Sequence, residues 1–478
     1  MRLKAKIHGV EECEGQGCSL LSRKQVRERE SFMKQIFVKW RKLIVLVLPF
    51  CAGALPVFAD APATVPAPAI NAGDTAWVLA STALVLLMTA PGLAFFYGGL
   101  VRRKNVLSIL MQCFIALCLI SLQWVLFGYS LAFHPGNGFW GGFGWAGLHG
   151  VGLEPYADYA ATIPHQLFMI FQCMFAVITP ALIIGAFAER MRFSAYLIFT
   201  LLWATFVYDP VCHWVWGMGG WIRNLGALDF AGGTVVHINA GVAALAAAIV
   251  LGKRRGLEDT GRPPHNLPFA VLGAGLLWFG WFGFNSGSAL AANGLAVSAF
   301  VATNTATAAA GLTWAFLEWA HNGKPTTLGV ITGAVAGLVA ITPACGFVGV
   351  VPSIIIGILV SIVCFIMVAV VKPKVGYDDS LDAFGVHGIG GMLGAMATGL
   401  FASKAINPVG GDGFFFGNPH QLLVQFYAVA ATLVYSFVVT FVLLKFVNVI
   451  TSVRADAKEE YTGLDLSQHH EGAYTMIE

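Results

Sequence analysis

Long apolar stretches alternate with short polar segments along most of the chain. Each stretch holds about 20 residues, which is the length an α-helix needs to cross the hydrocarbon core of a bilayer. We therefore predict an all-α polytopic membrane protein with eleven transmembrane helices. The predicted spans are residues 76–98, 106–130, 164–188, 193–216, 232–251, 267–290, 295–319, 326–343, 347–371, 383–403 and 420–447.

The basic residues orient these spans. If the N-terminus lies outside, 15 Lys and Arg residues fall in the inner loops and tail, and only Arg223 and Lys404 fall on the outer side. Cytoplasmic loops carry an excess of Lys and Arg, so this division supports the count of eleven. This division predicts that the transmembrane domain, 76–447, has its N-terminus outside and a cytoplasmic C-terminal tail, 448–478.

The N-terminal region has the pattern of a secretory signal peptide over residues 33–59. It combines a basic start, an apolar centre and a small-residue cleavage pattern that ends at Ala59. The alternative is a first transmembrane helix, but the apolar part is short for a span and two prolines interrupt it. We interpret residues 1–32 as an upstream extension and residues 60–75 as a flexible periplasmic N-terminus.

Composition narrows the classes of function. Hydrophobic residues make up 57% of the 478 residues and charged residues only 11%, against about 25% charged residues in soluble proteins. Loss of residues 1–59 removes 11 of 28 basic and 5 of 25 acidic residues, which leaves 17 and 20. A cytosolic enzyme and a nucleic-acid-binding protein are therefore excluded. The six remaining cysteines lack metal-site or disulfide spacing, so we expect no metal, no cofactor and no catalytic residue.

The two halves of the chain share a pattern. A Leu-Asp pair ending at Asp229 precedes a Val-His pair ending at His237, and the same pairs end at Asp382 and His387. Eleven spans divide into five, five and one, and two halves of five helices would insert as an inverted repeat. Such a repeat would bring the two histidines together. The alternative is two unrelated histidines, each bonded to backbone carbonyls, but an ionisable residue within a span is a functional candidate.

Acidic residues flank the two histidine-bearing spans. We interpret Asp229 as the N-cap of span five; the alternative is that its charge favours a cation at the outer mouth. Asp382 is the counterpart of Asp229 before span ten. Asp378 and Asp379 lie in the same inner loop and are interpreted as solvated charges.

Some aromatic residues occur at helical spacing and so share a face. These candidates are Phe171 and Phe175 in span three, Trp216 at the outer end of span four, and Trp281, Phe284 and Ser288 in span six. Aromatic faces attract ammonium-type cations, so a Trp, Phe and Ser cup could hold a small cation without a carboxylate. The alternative is an interfacial aromatic belt, which suits Trp214 and Trp221.

Five motifs are spread over the chain: FFYGGL from Phe95, ALDFAGGTVVHINA from Ala227, GWFGFN from Gly280, FGVHG from Phe384 and GLD from Gly463. Together they resemble the ammonium transporters of the Amt/Mep/Rh family, in particular its bacterial Amt branch. The resemblance covers residues 70–478 and leaves residues 1–59 outside.

This resemblance implies a homotrimer with one pore in each subunit, embedded in the lipid bilayer of the bacterial inner membrane with a periplasmic N-terminus. A PII-type signalling protein is implied as a cytoplasmic partner for the tail. It also implies roles for individual residues. The ammonium-recruitment site would comprise Trp216, Phe175 and Ser288, with Asp229 as a supporting residue. The gate would consist of Phe171 and Phe175. The pore would be lined by His237, His387, Trp281 and Phe284.

We therefore expect transport: ammonium is recruited at the outer aromatic site, loses a proton near the gate and crosses the histidine-lined pore as ammonia. Two other functions remain open. An ammonium sensor on the same scaffold would be expected to carry an added signalling domain, and only about 30 residues follow the last span. A haem or quinone redox subunit would use the intramembrane histidines, but stacked haems need several such pairs.

Overall fold

A computed structural model describes residues 69–255 and 264–474. The predicted signal peptide, 33–59, and the upstream extension, 1–32, lie outside the described residues. Within them the chain is helical, and its β pairing is limited to isolated bridges. The fold class predicted from the apolar stretches is therefore confirmed.

The described residues form ten helical segments that are long and apolar enough to cross a membrane. An eleventh apolar helix has only 15 residues, so the predicted count is met by ten full-length spans and one short helix. In chain order they are α1 (Ala72–Leu100), α2 (Arg103–Phe133), α3 (His165–Phe187), α4 (Phe193–Asn224), α5 (Gly233–Leu251), α6 (Leu267–Gly287), α7 (Gly294–Asn322), the short α8 (Thr327–Ile341), α9 (Val350–Val375), α10 (Phe384–Phe401) and α11 (Pro419–Ile450).

Helix α1 begins earlier than the apolar pattern predicts. The Asn71 side chain accepts a hydrogen bond from the Asp74 backbone N–H, so it caps a helix that starts at Ala72. Residues 72–75, expected to belong to the flexible N-terminus, are therefore helical. The reason is local: a capping residue satisfies one of the free N–H groups at a helix start.

Burial differs sharply between helices. In the most apolar part of α3, 94% of the residues are buried, against 22% in α11 and 28% in α9. Helix α3 therefore lies at the centre of the subunit, and α9 and α11 lie at its periphery. This places any side chain on α3 next to the interior rather than the lipid.

Helices α5 and α10 both begin with a π-helical turn. The turns are Gly233–Ile238 and Phe384–Gly388, and each is followed by a 13-residue α-helix. His237 and His387 occupy corresponding positions in them. Such turns often mark functional sites, and their recurrence agrees with the repeat predicted from the sequence.

The two repeats cross at glycines. A Cβ atom on Gly241 would overlap the backbone of Gly388, and one on Gly391 would lie 3.0 Å from the Gly233 carbonyl oxygen. Only hydrogen fits at these positions, because the neighbouring atoms are backbone and cannot rotate away. The small residues thus bring the two histidine-bearing turns together, as small residues commonly do between membrane helices.

We expect Gly241→Ala to destabilise the protein by about 1–3 kcal/mol, the usual cost of an overpacked interior. The measurement is the thermal unfolding midpoint of the purified protein in detergent. Gly275→Ala is the matched control, because it also lies in a transmembrane helix and a Cβ there meets nothing within 4 Å. Equal midpoints for the two variants would contradict the close crossing.

The loop before α10 departs from the prediction. Asp378 and Asp379, expected to be solvated, are 4% and 0% exposed. Burial would raise the pKa of Asp378, but its bonds to Arg254 and the charge of Arg190 hold that pKa below its usual value. Asp379 accepts the Phe384 N–H at 2.7 Å, and burial raises its pKa to about 6.

Asp382 was expected to be the counterpart of Asp229, but it pairs instead with Lys372, at 2.6 Å. The bond to the start of α10 comes from Asp379. The residue at 382 adopts a positive φ of 59°, a backbone conformation that spacing along the chain does not predict.

The tail packs against the same subunit. Its short helix α12 (Ala457–Thr462) begins with a capping box between Asp456 and Glu459. Beyond it, the Asp465 carboxylate accepts the Ser108 N–H at 2.7 Å, and the Leu464 N–H donates to the Asn105 side chain at 2.8 Å. We call this end of the molecule the tail face and the opposite end, which carries Trp216, the mouth face.

Candidate functional site

An aromatic cluster lies at the mouth face. The Trp216 ring meets the Phe175 ring edge to face, with centroids 5.8 Å apart at 84°. The Trp216 indole N–H donates to the Asp229 carbonyl oxygen at 2.8 Å, which fixes the ring. Trp216 keeps partial exposure, so one side of this cluster stays accessible from the mouth face.

Ser288 lies at the end of α6, one helical turn beyond Phe284. Its hydroxyl donates to the Phe284 carbonyl oxygen at 2.8 Å, which leaves the oxygen lone pairs as acceptors. Phe284 stacks on Phe175, with centroids 4.2 Å apart. Phe175 on α3 therefore contacts both Trp216 on α4 and Phe284 on α6, and Ser288 is bonded to the backbone of Phe284.

Asp229 is 8% exposed and its carboxylate faces backbone. It accepts the N–H groups of residues 232 to 235 at 2.9, 2.6, 2.8 and 3.1 Å. Burial raises the pKa of Asp229 above its usual value, and these bonds oppose that rise. The Asp229 side chain therefore bonds to the free N–H groups at the start of α5, as an N-cap would, although the N-cap residue itself is Gly232. The carboxylate oxygens are occupied, so Asp229 supports the mouth through its backbone carbonyl, which holds Trp216.

Two phenylalanine rings of α3 pack against each other next to the mouth cluster. Phe171 and Phe175 lie one turn apart on α3, with centroids 5.1 Å apart at 68°, and both are 0% exposed. Their burial follows from the central position of α3. These two rings were predicted to form the gate, and the structure places them together in the interior of the subunit.

The two histidines meet beyond the phenylalanines. Their Nδ1 atoms are 3.3 Å apart and their rings are nearly parallel, at 24°. His237 is 1% and His387 4% exposed. A hydrogen bond between two ring nitrogens requires one to donate and the other to accept, and the two rings lie at a distance that allows such a bond. The structure thus brings together two residues that are 150 positions apart in the chain.

A narrow internal cavity adjoins this pair. Apart from the histidines, its lining is aromatic or aliphatic, and the indole N–H of Trp281 donates to the Thr342 hydroxyl at 2.8 Å. The lining residues are Met88, Leu93, Phe96, Ile178, Leu182, His237, Leu277, Trp281, Phe284, Val335 and His387.

Sequence reasoning identified His237, His387, Trp281 and Phe284 but missed the other lining residues. Phe96 belongs to the FFYGGL motif, whose sequence does not indicate a position in the cavity. The remaining aliphatic residues carry no signal, because a leucine facing the pore and one facing lipid look the same in sequence. Helical neighbours decide which way each side chain points.

No carboxylate lies among the described residues that line the cavity, and apart from the Trp281 indole N–H, which is bonded to Thr342, the polar lining comes from the imidazole pair. An unpaired cation would lose its hydration there without a counter-charge, which costs several kcal/mol or more. A small neutral molecule that can donate and accept hydrogen bonds would meet no such barrier. Across residues 69–255 and 264–474, no group of three His, Cys, Asp or Glu side chains is arranged to bind a metal ion.

Comparison with known proteins places this geometry in context. Residues 76–474 match the model of the Ammonium Transporter Family. The ammonium transporter of Bacillus subtilis (strain 168) is 58% identical over 402 residues, which cover 84% of this chain and 98% of that protein. Ammonium transporter Amt1 of Archaeoglobus fulgidus is 50% identical over 405 residues, which cover 84% of this chain and 99% of that protein.

Solved structures similar to this chain come from the same group of proteins. Mep2 from Candida albicans superimposes with a TM-score of 0.77 at 38% identity, covering 82% of this chain and 88% of that one. A structure described as Sensor Amt Protein superimposes with a TM-score of 0.76 at 29% identity, covering 83% of this chain and 98% of that one. With the family match over residues 76–474 and relatives of this identity, the chain belongs to the ammonium transporter family.

Proposed function

We propose that the protein transports ammonium across a membrane, with ammonia as the species that crosses its interior. The observation that carries this proposal is the apolar, carboxylate-free cavity that ends at a pair of contacting imidazoles. Family membership supports the substrate, and the long apolar helices support a multi-pass membrane protein.

Recruitment begins at the mouth. The faces of Trp216 and Phe175 attract a cation through their ring quadrupoles, a contribution of about 0.5–2 kcal/mol. The Ser288 oxygen supplies an acceptor for one ammonium N–H. Because the Asp229 carboxylate is bonded to four backbone N–H groups, no strong anion traps the ion at this point.

Deprotonation follows at the gate formed by Phe171 and Phe175. These buried rings oppose the passage of a bare cation, because moving an unpaired charge into a low dielectric is very costly. Ammonium escapes this cost by transferring its proton to water at the mouth face, so that neutral ammonia passes the rings. Potassium has no proton to lose, so the same step provides selectivity.

The histidine pair then lines the path of the neutral molecule. An imidazole offers a donor and an acceptor without a fixed charge, so His237 and His387 keep the pore polar enough for ammonia. A haem would have to separate these rings, which lie in contact at 3.3 Å. The redox alternative is therefore disfavoured by the geometry.

The deciding experiment measures flux. Purified protein in proteoliposomes should produce an ammonium-dependent current or luminal pH change that potassium does not produce. Binding of ammonium without any flux would favour the sensor alternative. This alternative is worth testing because a structure described as Sensor Amt Protein is similar to this chain. Empty liposomes are the control.

We expect Trp216→Leu to raise the KM for methylammonium roughly 2- to 30-fold, the equivalent of about 0.5–2 kcal/mol of lost cation–π attraction. The maximal rate should change little, since the gate and cavity are untouched. Radiolabelled methylammonium uptake at low concentration measures the effect. Trp140→Leu is the control, because Trp140 is an exposed tryptophan in the mouth-face loop, at 57%. Unchanged uptake in Trp216→Leu would remove the recruitment role.

The assembly proposed is a homotrimer in the bacterial inner membrane, with the mouth face periplasmic and the tail face cytoplasmic. Clusters of Arg and Lys near the tail face support this orientation. Exposed apolar side chains along α7 and α9 supply surface for lipid or for neighbouring subunits. A PII-type protein is the proposed cytoplasmic partner, and the packed tail offers an ordered surface for it.

The signal peptide is proposed to be removed after Ala59, so that the mature protein starts at Asp60. The basis is the small-residue pattern at positions 57 and 59. N-terminal sequencing of protein purified from membranes should find the new terminus. An intact Met33 or Met1 would mean that the segment is retained.

A further inference from the structure

The Trp216 carbonyl lies at the end of an α-helix on the mouth face. The last α-helical part of α4, Asp209–Trp216, ends where Gly217 takes an extended conformation. The final carbonyl oxygens of a helix lack intrahelical partners and carry partial negative charge. Among the described residues, no backbone N–H outside the helices donates to the Trp216 oxygen. Left open, this oxygen would attract cations beside the aromatic cluster.

An arginine of the same chain occupies this carbonyl. Nη1 of Arg223 donates to the Trp216 carbonyl oxygen at 2.7 Å, and the guanidinium lies over the Tyr159 ring, 5.8 Å from its centroid. Arg223 is exposed, and within the described part of the chain it forms no ion pair with Asp or Glu inside 4.0 Å. Its positive charge therefore has no carboxylate in contact with it.

Tyr159 fixes the position of the guanidinium. The Tyr159 hydroxyl accepts the Met218 N–H at 2.8 Å and donates to the Phe133 carbonyl oxygen at 2.6 Å. The ring is therefore held by two bonds and presents its face to the arginine, an arrangement that stabilises a cation. Arg223 thus keeps its charge at a defined place next to Trp216.

The short helical turn that carries Arg223 is tied to the loop before α3. The Trp221 N–H donates to the Gly138 carbonyl oxygen at 3.1 Å, and the Trp214 indole N–H donates to the same loop at 2.8 Å. His213 also contacts two carbonyl oxygens there and at the end of α2, at 3.0 and 2.8 Å. Trp214 was a candidate for an interfacial belt but is only 7% exposed. These bonds make the arginine part of a fixed structure rather than a mobile surface charge.

We propose that Arg223 is a specificity-determining residue that keeps alkali-metal cations out of the mouth. This proposal rests on the proposed function, in which ammonium is recruited there. Alkali cations need oxygen ligands to replace their hydration shell, and Arg223 takes up the carbonyl oxygen that would supply one. Its charge also repels every cation. Ammonium still gains the aromatic faces and donates a hydrogen bond to Ser288.

The size of the electrostatic effect follows from Coulomb's law. Two unit charges about 10 Å apart in water change an affinity about twofold, and more where the effective permittivity is lower. Arg223 bonds to Trp216 itself, so its charge lies about that far from a cation on the Trp216 ring. Loss of the charge should therefore strengthen cation binding at the mouth about two- to fivefold.

The test replaces Arg223 with methionine, which has a similar length but neither the charge nor the donors. Arg223→Met should lower the KM for methylammonium uptake into proteoliposomes about two- to fivefold at low ionic strength. Potassium, kept equal on both sides of the membrane, should inhibit uptake by Arg223→Met more strongly than uptake by the wild type. Added magnesium sulfate should remove the difference in KM, because the Debye length is about 10 Å at 0.1 M and shorter above it.

Two further variants are controls. Arg223→Lys retains the positive charge and should resemble the wild type in KM and in its response to potassium. Lys404→Met removes the other basic residue predicted on the outer side, so it makes the same change in net charge. It should leave the KM unchanged. An equal fall in KM in Lys404→Met would mean that surface charge in general acts on uptake, and the proposal would be wrong.

The remaining outcomes are also decisive. A KM that rises in Arg223→Met, as expected for Trp216→Leu, would mean that Arg223 only braces Trp216. A fall in KM without inhibition by potassium would refute the exclusion of alkali cations. Absence of flux in the wild type would refute the proposed function instead. Calorimetric titration of the purified variants with ammonium chloride and potassium chloride would then still decide the role of Arg223: tighter binding of both cations to Arg223→Met supports it, and unchanged binding overturns it.

Discussion

Replacing either His237 or His387 with alanine is expected to abolish selective ammonium-coupled current. The two rings form one unit, with Nδ1 atoms 3.3 Å apart and almost no exposure, so the loss of one ring removes the partner that shares its proton. Alanine also leaves the cavity apolar, or wide enough for a chain of water molecules. We therefore expect potassium leakage in some variants.

The double alanine variant is expected to be no worse than either single variant. Residues that act as one hydrogen-bonded unit show large coupling energies, because removing the second member of a broken unit costs little more. Ammonium and potassium currents in proteoliposomes, compared between the single variants and the double variant, measure this coupling. His321→Ala is the control, since that histidine is exposed at the tail-face end of α7. Simply additive losses with intact selectivity would make the histidines packing residues.

A carboxylate at either position should act differently from alanine. His387→Glu would place a fixed negative charge in the cavity and stabilise a bare cation there. The expected result is conduction of potassium as well as ammonium, because the barrier against unpaired charge would be gone. Retained selectivity in this variant would argue that exclusion of cations occurs at the phenylalanine gate alone.

Asp229→Asn is expected to abolish transport and to lower the free energy of unfolding by about 2–5 kcal/mol. The carboxylate accepts four backbone N–H groups between 2.6 and 3.1 Å. Asparagine would turn an NH₂ group toward some of these donors and leave them unpaired. The π-helical turn that carries His237 would lose its cap, and the Asp229 carbonyl would release the Trp216 indole.

Uptake and thermal unfolding of the same preparation measure the two effects together. Asp412→Asn is the matched control, because Asp412 is a mouth-face aspartate whose carboxylate accepts the single N–H of Lys404 at 2.8 Å, which an amide oxygen can replace. If Asp229→Asn unfolds at the wild-type temperature and transports normally, the proposed role of the cap at the mouth is wrong.

The apolar pattern predicted the helices well because a membrane span must be long, apolar and internally hydrogen-bonded. Two departures have local causes. Helix α1 starts early because Asn71 caps it. Helix α8 has only 15 residues, and most of them are buried by neighbouring helices, so it does not need the length of a lipid-exposed span.

The candidate site was predictable where the chemistry is rare in a membrane. Two histidines in matching contexts stand out, and the spacing of Phe171 and Phe175 requires a shared helical face. Asp379 could not be distinguished from a solvated charge, because its burial depends on how its loop folds against α10. The contacts of His213 carried no signal either, since the two carbonyl oxygens it meets belong to the end of α2 and to the loop that follows.

The sequence by itself determined the class of protein, the apolar spans, the internal repeat and the identity of the histidine pair. These properties depend on residue type and spacing along the chain. The tertiary structure alone decided which apolar side chains line the cavity, which aspartate bonds to the start of α10, and which polar groups are left to pair in the interior. Those properties depend on what lies across from each side chain, and only the packing of helices that are far apart in the chain establishes that.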